Sequence, residues 1–530
     1  MPTRQLRLTD SPTIGLRQHF SQPTLDSIAA ARTCYSPRII AANEVTQEQV
    51  ERIGRTTYEG GHHSVYQHQF LEFELEDVST VLTHDILHNH PFYNSSQQSQ
   101  RYVDQTRRGA VMPPLEGKEA RAIYEDAVRA SWDAYAALTE TLAEDLMGRL
   151  AASNMDPASR RRRERDVRKK AMEAARYALV IGCHTSLIYT IDGVTLWRLY
   201  RLKGLSWEAE RVVSMMVDAV REVDPRFFDR VNAEMKARPL PTENTLEGRL
   251  REEYESQADM EAFRKSFDES LRGYRSKLVG WTRHGEERLA DALSYQLGLP
   301  PNGLTKEETV AHLLDPGKNP YLLESLNLAV VSPAMATMSH IHYSFKKRIS
   351  HVADCQDQRH RMVPASRPLS RDIHPPNPDY VTPILIEGAG EAKKLFEGWM
   401  GEAWERKNEL EAEGVLPEHA VYVLPRAVAV RLVESGTLLH LFYKFYNRTC
   451  LRTQEELWIT TMQERNQVAE VHPLIGERLG PPCHVRNAEP GEIPEEWGKV
   501  NLCNQGKLYC GKPVWNLWPE VHEQDILDVI

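Results

Sequence analysis

Short runs of alternating apolar and polar residues mark the start of the chain, among them Phe70-Leu-Glu-Phe-Glu-Leu-Glu76 behind the turn-rich Glu59-Gly-Gly-His-His-Ser64. A period of two predicts a half-buried strand entered from a loop. From Lys118 to Asp229 the apolar spacing lengthens to that of a helix, which predicts long helices with charged outer faces, interrupted near Asn154-Met-Asp-Pro-Ala-Ser159. Paired prolines in Arg238-Pro-Leu-Pro-Thr-Glu-Asn244 stop helix and strand alike and mark a boundary. After a charged helical stretch from about 245 to 295, the pattern begins again.

The return is visible residue by residue. Ser79 to His90 (S-T-V-L-T-H-D-I-L-H-N-H) and Ser350 to Arg361 (S-H-V-A-D-C-Q-D-Q-R-H-R) align their leading serines and closing triplets at one offset of 271. Arg176-Tyr-Ala-Leu, Thr195-Leu196 and Val223-Asp-Pro225 are answered in order by Val421-Tyr-Val-Leu, Thr437-Leu438 and Val471-His-Pro473. This predicts a tandem duplication: a first copy over 1–240, a helical connector over 241–290 and a second copy over 291–530. Two generic helical domains that share a few residues are the alternative.

Composition narrows the class. A chain of 530 residues exceeds the roughly 250–300 at which a single core stops growing, so two domains are expected on length as well. With 41% hydrophobic and 26% charged residues the chain is globular rather than disordered. No run approaches the roughly 18 apolar residues of a membrane span, and Met1 to Asp10 lacks the order of a signal peptide. The expectation is a cytoplasmic protein with no membrane partner. Seven cysteines, odd in number and scattered, read as reduced thiols. A net charge of −10 exerts no global pull on nucleic acid, so none is expected as a partner, and any phosphate must be held by local arginines.

The densest polar cluster of the first half is His88-Asn-His-Pro-Phe-Tyr-Asn-Ser-Ser-Gln-Gln-Ser-Gln-Arg101. A guanidinium beside a serine hydroxyl and backbone N–H groups suits a phosphate monoester, because its fork matches two phosphate oxygens. A polar loop that satisfies its own backbone is the plainer alternative. The string resembles the signature of the flavin-dependent thymidylate synthases, an R-H-R triplet followed by S-x-x-x-S-x-R or a close variant. Around it, Ala31-Arg-Thr-Cys-Tyr35 and Gly61-His-His-Ser-Val-Tyr-Gln-His68 are similar to that family's A-R-x-S-[YF] and G-H-x-[ST]-P-F-E-H segments. Ala175-Arg-Tyr-Ala-Leu179 to Thr190-Ile-Asp-Gly-Val-Thr-Leu196 resembles its A-R-x-x-L-P to N-A-R-S-L block.

The first copy departs from the pattern at its triplet, His88-Asn89-His90, and at Asp192. A histidine is shorter than arginine and mostly neutral at pH 7, so it does not replace the permanent fork. The second copy restores Q-x-x-R-H-R as Gln356-Asp-Gln-Arg-His-Arg361, and Arg448-Thr-Cys-Leu-Arg-Thr-Gln-Glu-Glu456 resembles the family's R-x-C-x-R-A-Q-W-E. Yet it follows the triplet with Met-Val-Pro-Ala-Ser-Arg-Pro368 and has Val421 where the first copy has Arg176. The first-copy counterpart of Arg448 is Arg201 or Lys203. In the family, one subunit gives the S-x-R tail and the A-R-x-x-L arginine while a neighbour gives the triplet and the later arginine. The two halves of this chain divide along that line, which predicts a fused pseudo-dimer with composite sites; a dead copy beside an idiosyncratic one is the alternative.

The resemblance implies an α/β (α+β type) fold in which each copy is a small twisted sheet with long helices. It implies FAD-dependent reductive methylation of dUMP to dTMP, with methylene-tetrahydrofolate as carbon donor and NADPH as reductant. Ser99, Arg101 and Arg448 are then the catalytic candidates. Gln97, Gln98, Ser99, Arg101, Arg176, Gln356, Arg359 and Arg448 would bind the nucleotide, and His68, Arg359, His360 and Arg361 the flavin. Partners are dUMP, folate and NADPH, and the assembly is a homodimer, hence a pseudo-tetramer. A related flavin-dependent pyrimidine-nucleotide modification, such as hydroxymethylation, and a non-catalytic nucleotide-binding protein are the rival readings. No G-x-G-x-x-G after a strand and no P-loop pattern occurs. The run Arg160 to Lys170 mixes acids with bases at helical spacing and reads as a solvated face. No metal is expected: Cys483, His484, Cys503 and Cys510 lack C-x-x-C pairs and read as reduced thiols, with a zinc site as the alternative.

Overall fold

The computed structural model describes residues 7–99, 101, 109–152, 157–202, 205–239, 246–257, 259–368, 375–488 and 492–527. Ten strands occur among them: β1 (Leu8–Thr9), β2 (Thr13–Gln18), β3 (Phe70–Ser79), β4 (Tyr93–Gln97), β5 (Ala110–Val111), β6 (His184–Asp192), β7 (Ser276–Trp281), β8 (His342–Ser350), β9 (Ala365–Ser366) and β10 (Ala429–Thr437). β1 and β5 form a small parallel pair. The others make two antiparallel sheets with the orders β2-β3-β6-β4 and β7-β8-β10-β9. The second order is the first repeated strand for strand, so the duplication expected from sequence is a duplication of topology.

Local causes repeat as well. The alternation that predicts a strand at Phe70 becomes β3, whose Leu71, Phe73 and Leu75 are fully buried. In both copies the central strand ends on a serine that caps the next helix: Ser79 accepts from Leu82 N–H and Ser350 from Ala353 N–H. Each cap is clamped by a buried glutamate from a later helix. Glu208 receives the Ser79 N–H and hydroxyl, and Glu456 receives those of Ser350.

The copies meet about a pseudo-twofold axis. Ile181 N–H donates to Leu424 O and Arg426 N–H to Leu179 O; Gly182 N–H donates to Tyr422 O and Ala427 N–H to Tyr177 O. Each bond has its mirror, as an isologous interface requires. Two tyrosines cross the axis in the same way, Tyr177 donating to Glu456 (2.5 Å) and Tyr422 to Glu208 (2.7 Å). The long helices Lys118–Ala152 and Gly390–Ala412 pack against each other, and their buried faces, including Tyr124, Leu138, Phe396 and Trp404, share one core with the axial segments. Each sheet has its own core besides.

The segment 241–290, expected as a helical connector, holds the helices Leu246–Tyr254 and Met260–Leu271 and then β7, the edge strand of the second sheet. Residues 240–245 of the proline boundary, residues 153–156 of the predicted helix break, Lys203 and most of the segment after Arg101 lie outside the described residues. Among the described residues no helix is long and apolar enough to cross a membrane.

Candidate active site

β4 ends the first sheet beside the axis and delivers Gln97, Gln98, Ser99 and Arg101 to a cavity of about 340 Å³. Arg176 enters it from the axial turn of the first copy, and Gln356, Arg359 and Arg448 enter from the second. Seven of the residues that sequence reasoning assigned to a nucleotide thus share a cavity with Arg448, the eighth. Gln97 is held by contacts to Thr185 Oγ1 (3.2 Å) and Thr83 Oγ1 (3.4 Å). Arg101 forms an ion pair with Glu173 and donates to Arg452 O across the copies at 3.0 Å. Arg448 donates to Gln356 O at 2.5 Å, and Arg176 Nε to Glu173 O at 3.2 Å.

Sequence reasoning missed three residues of this wall, Val352, Cys355 and Arg426. Arg426 is buried at 3% exposure. The available cue was Leu424-Pro425-Arg426, where the second copy keeps the L-P ending of the repeat block that the first copy has lost to Leu179-Val180.

The cavity carries more donors than the protein satisfies. Arg176 Nη2, Arg426 Nε and Nη1, Arg448 Nε and Gln356 Nε2 are buried and find no oxygen or nitrogen acceptor among the described residues, Arg426 having only the Cys355 thiol beside it. Buried donors in folded proteins are almost always paired, and leaving them bare is costly. The pKa values agree. Burial pulls Arg176 down to about 10 against the help of Glu173, and it pulls Arg448 to about 10 despite Asp357. Both remain cations at neutral pH, short of anions. Burial also opposes ionisation of Glu173, but Arg101, Lys170 and Arg176 outweigh it and hold its carboxyl down at about 2. Burial pushes the Cys355 thiol up to about 11, so it is a poor nucleophile.

Arg101, Arg359 and Arg448 also face a second, larger cavity of about 510 Å³, whose lining includes His360, Arg361, Met362, Leu439 and Tyr443. Arg361 donates to Asn94 Oδ1 of the first copy at 2.9 Å and lies over the Tyr93 ring at 5.4 Å. Burial, reinforced by Arg448, pulls His360 well below the ordinary histidine value. A buried ion network fixes this wall: Lys347 lies 2.9 Å from Asp357, 2.5 Å from Glu434 and 2.6 Å from Glu464, and Lys444 contacts Asp357 at 2.9 Å and Glu434 at 2.5 Å. It joins the helix His351–Asp357, from which Arg359 follows, to the helix Leu438–Arg448. His68 stands apart, exposed just before β3, and lines neither cavity.

The twofold-related position is built differently. Strand register puts Ser366 against Val433 as it puts Ser96 against Ile188, so Arg367 replaces Gln97, Asp354 replaces Thr83, His84 replaces Cys355 and His88 replaces Arg359. Here Asp354 pairs with its neighbours, while His88 Nε2 and Arg367 Nε stay without a hydrogen bond among the described residues. Asp354 accepts from Arg367 (3.1 Å) and from His84 Nε2 (2.8 Å), and His88 Nε2 lies 3.4 Å away. Burial holds His88 at about 4, hence neutral at pH 7, and its Nδ1 donates to His84 O at 2.7 Å.

The family model for thymidylate synthase complementing protein matches residues 16–226 and again 277–474. Among curated relatives, the flavin-dependent thymidylate synthase of Clostridium tetani is 29% identical over 222 residues, 41% of this chain and 84% of the relative. That of Sulfurisphaera tokodaii is 29% identical over 241 residues, 43% of this chain and 87% of the relative. Among solved structures, the UMP/dUMP methylase PolB of Streptomyces cacaoi, bound with 5-Br dUMP, aligns with 43% of this chain and 97% of its own at 18% identity and a TM-score of 0.31.

Proposed function

The chain belongs to the thymidylate synthase complementing protein family, and from that premise we propose that it catalyses the FAD-dependent reductive methylation of dUMP to dTMP at one composite site per chain. Methylene-tetrahydrofolate is the carbon donor and NADPH the reductant. The enzyme acts in the cytoplasm as a homodimer of two-copy chains, the second copy taking in β7 from the segment 241–290.

The observation that carries this reading is the set of buried, acceptor-less donors in the smaller cavity, contributed by both copies. A phosphate monoester brings three acceptor oxygens and nearly two negative charges at pH 7. It would relieve Arg176, Arg426 and Arg448 together, with Arg101 and Ser99 closing from the S-x-R tail. Anchoring the phosphate there directs the pyrimidine ring toward the larger cavity, which shares Arg101, Arg359 and Arg448 with it. Fixing the ring in this way supplies the positioning part of catalysis.

The larger cavity suits the flavin. Its volume of 510 Å³ is within the range of cofactor sites, and its wall combines Met362, Leu439 and Tyr443 with the cations Arg359 and Arg361. When bound, the flavin supplies the electron transfer of the reductive step. Arg359, His360 and Arg361 would hold it, and His360, kept neutral by burial, would offer hydrogen bonds without adding charge. Cys355 takes no covalent part, because its thiol stays protonated.

At the twofold-related position Arg367, which stands where the other site has Gln97, is committed to Asp354, which favours a single site per chain over two. The test joins two measurements on the purified protein. The oxidised-flavin absorbance should be present and bleach with NADPH under anaerobic conditions, and titration calorimetry should give about one dUMP per chain. Two dUMP per chain overturns the single composite site. Nucleotide binding without any flavin supports the non-catalytic reading, and flavin turnover on dUMP without dTMP supports another modification.

A further inference from the structure

Cys450, Cys483, Cys503 and Cys510 converge on one small apolar cavity, walled otherwise by Leu451, Pro481, Pro482, Gln505, Tyr509 and Val514. They arrive from separate parts of the sequence. Cys450 follows the helix Leu438–Arg448, Cys483 lies in the helical turn Pro482–Val485, and Cys503 and Cys510 flank the turn Gly506–Leu508. All four are free thiols, and they are four of the chain's seven. The zinc alternative raised from sequence is therefore misassigned in one ligand. His484 does not line the cavity: its Nε2 donates to Glu477 O at 3.0 Å and its ring packs on Trp518 at 5.4 Å. Cys450 takes its place.

Four thiols around one void are hard to account for as packing alone. The region they join has little regular structure: after Val485 the described residues hold only short turns and the five-residue helix Glu523–Leu527. Its core is a small satellite cluster around Trp458, Cys483 and Ile526. Small loop-rich segments of this kind gain stability from a staple.

We propose that these four cysteines form a four-thiolate site for a soft metal centre, a zinc ion or an iron–sulfur cluster. Tetrahedral sulfur coordination is the common chemistry of both. The void, about 10 Å³, has room for a single ion. The ligand-type groups already within 4.8 Å of one another are, among the described residues, His84, His88 and Asp354, so the sulfurs stand wider than the ~4 Å spacing that zinc–sulfur bonds of ~2.3 Å impose. Zinc therefore requires the four side chains to close inward, and a cluster requires the void to widen. Binding of zinc exchanges the thiol protons for the ion, so affinity rises with pH.

The centre would brace the active-site wall. Cys450, Pro482 and Gln505 line both this cavity and the 510 Å³ cavity. Arg452 donates to Leu508 O at 2.7 Å and its carbonyl accepts from Arg101. The site thus ties the segment after Arg448 to the C-terminal loops. The proposal does not depend on the assigned reaction.

The test is elemental analysis and acid-labile sulfide on full-length protein purified without oxygen. About one zinc per chain, or about four iron with four sulfide, is expected. Cys503→Ser and Cys510→Ser should each lower the loading at least severalfold, while His484→Gln and Cys34→Ser keep it. If the variants do not fold, chelated wild-type protein titrated with cobalt(II) should develop a thiolate-to-cobalt charge-transfer band. The proposal is overturned by protein that holds neither metal as isolated nor after reconstitution, by loading that survives both serine variants, or by a native disulfide between any two of the four.

Discussion

Replacing Arg176 with methionine should weaken nucleotide binding while strengthening the empty protein. Arg176 is 4% exposed, and burial lowers its pKa from 12.5 to about 10. A shift of that size corresponds to about 3 kcal/mol of penalty on keeping the cation folded. Because the group is fully enclosed, solvent screening does not reduce the figure. Methionine removes the penalty and most of its volume is retained, at the expense of the Nε–H bond to Glu173 O, about 1 kcal/mol. Glu173 keeps Arg101 and Lys170 as partners. The empty enzyme should therefore gain about 1–2 kcal/mol, seen as a higher midpoint of thermal unfolding. The bound phosphate, however, loses one charge-assisted bond, about 1.5–3 kcal/mol, or roughly ten- to more than a hundredfold in Kd. Differential scanning fluorimetry with and without dUMP, paired with titration calorimetry, reads both signs. An arginine that serves only the fold loses stability without losing affinity; that outcome, or unchanged dUMP affinity, refutes the reasoning.

Other expectations follow from the same geometry. Arg101→Ala and Arg448→Ala should each weaken dUMP binding by roughly ten- to a hundredfold, and the double variant by less than the product, because both face one ligand; strict additivity in calorimetry separates them into two sites. Tyr177→Phe and Tyr422→Phe remove equivalent donors from Glu456 and Glu208, so each should cost about 1–3 kcal/mol in denaturant unfolding; a loss confined to one argues against the twofold interface. Burial holds His484 at about 4, so the folded chain keeps it neutral while the unfolded chain protonates near 6.5. Its contribution is complete above that value and falls by about 1.4 kcal/mol per unit as pH drops toward 4. His484→Gln should flatten this acid limb in the pH dependence of the unfolding midpoint, and an unchanged limb contradicts the burial argument.

Much of this molecule is legible in its sequence, and the limits have physical causes. The strand at Phe70 follows from a strict period of two over a buried face, and the duplication from offsets shared by capping serines and turn prolines. The arginines of the smaller cavity were assigned from the resemblance of residues 95–101, Arg176, the Arg359 triplet and Arg448 to the family's motifs, because a guanidinium near glutamine and serine also fits a self-satisfied polar loop. Arg426 was marked only by the Leu424-Pro425 ending before it: it lies in an apolar run and reaches the cavity because the axial segments cross. His68 belongs to a motif that resembles the family's, yet its loop carries it to the surface before β3, away from both cavities. The cysteine group failed in a related way. Sequence proximity selected His484, while Cys450 is more than thirty positions upstream of Cys483 and is brought in by the end of a helix.

Fusion of the two copies explains why the pair of positions diverges as it does. In a symmetric dimer every residue serves both sites, so His88 and Arg359 would have to be the same residue. Within one chain they are independent, and the energetics favour asymmetry. An unliganded cavity lined by buried arginines carries desolvation penalties that the depressed values of Arg176 and Arg448 record. A second such cavity at the same axis would double that penalty and place two positive clusters close together in a medium of low dielectric. At the twofold-related position, the neutral His88 stands where the other site has Arg359, and Asp354 offsets Arg367 and His84, whose pKa, against burial, its contact raises. Stability lost at one position is thereby offset at the other, which lets the chain keep the unmet donors of Arg176, Arg426 and Arg448 at the site proposed for the nucleotide.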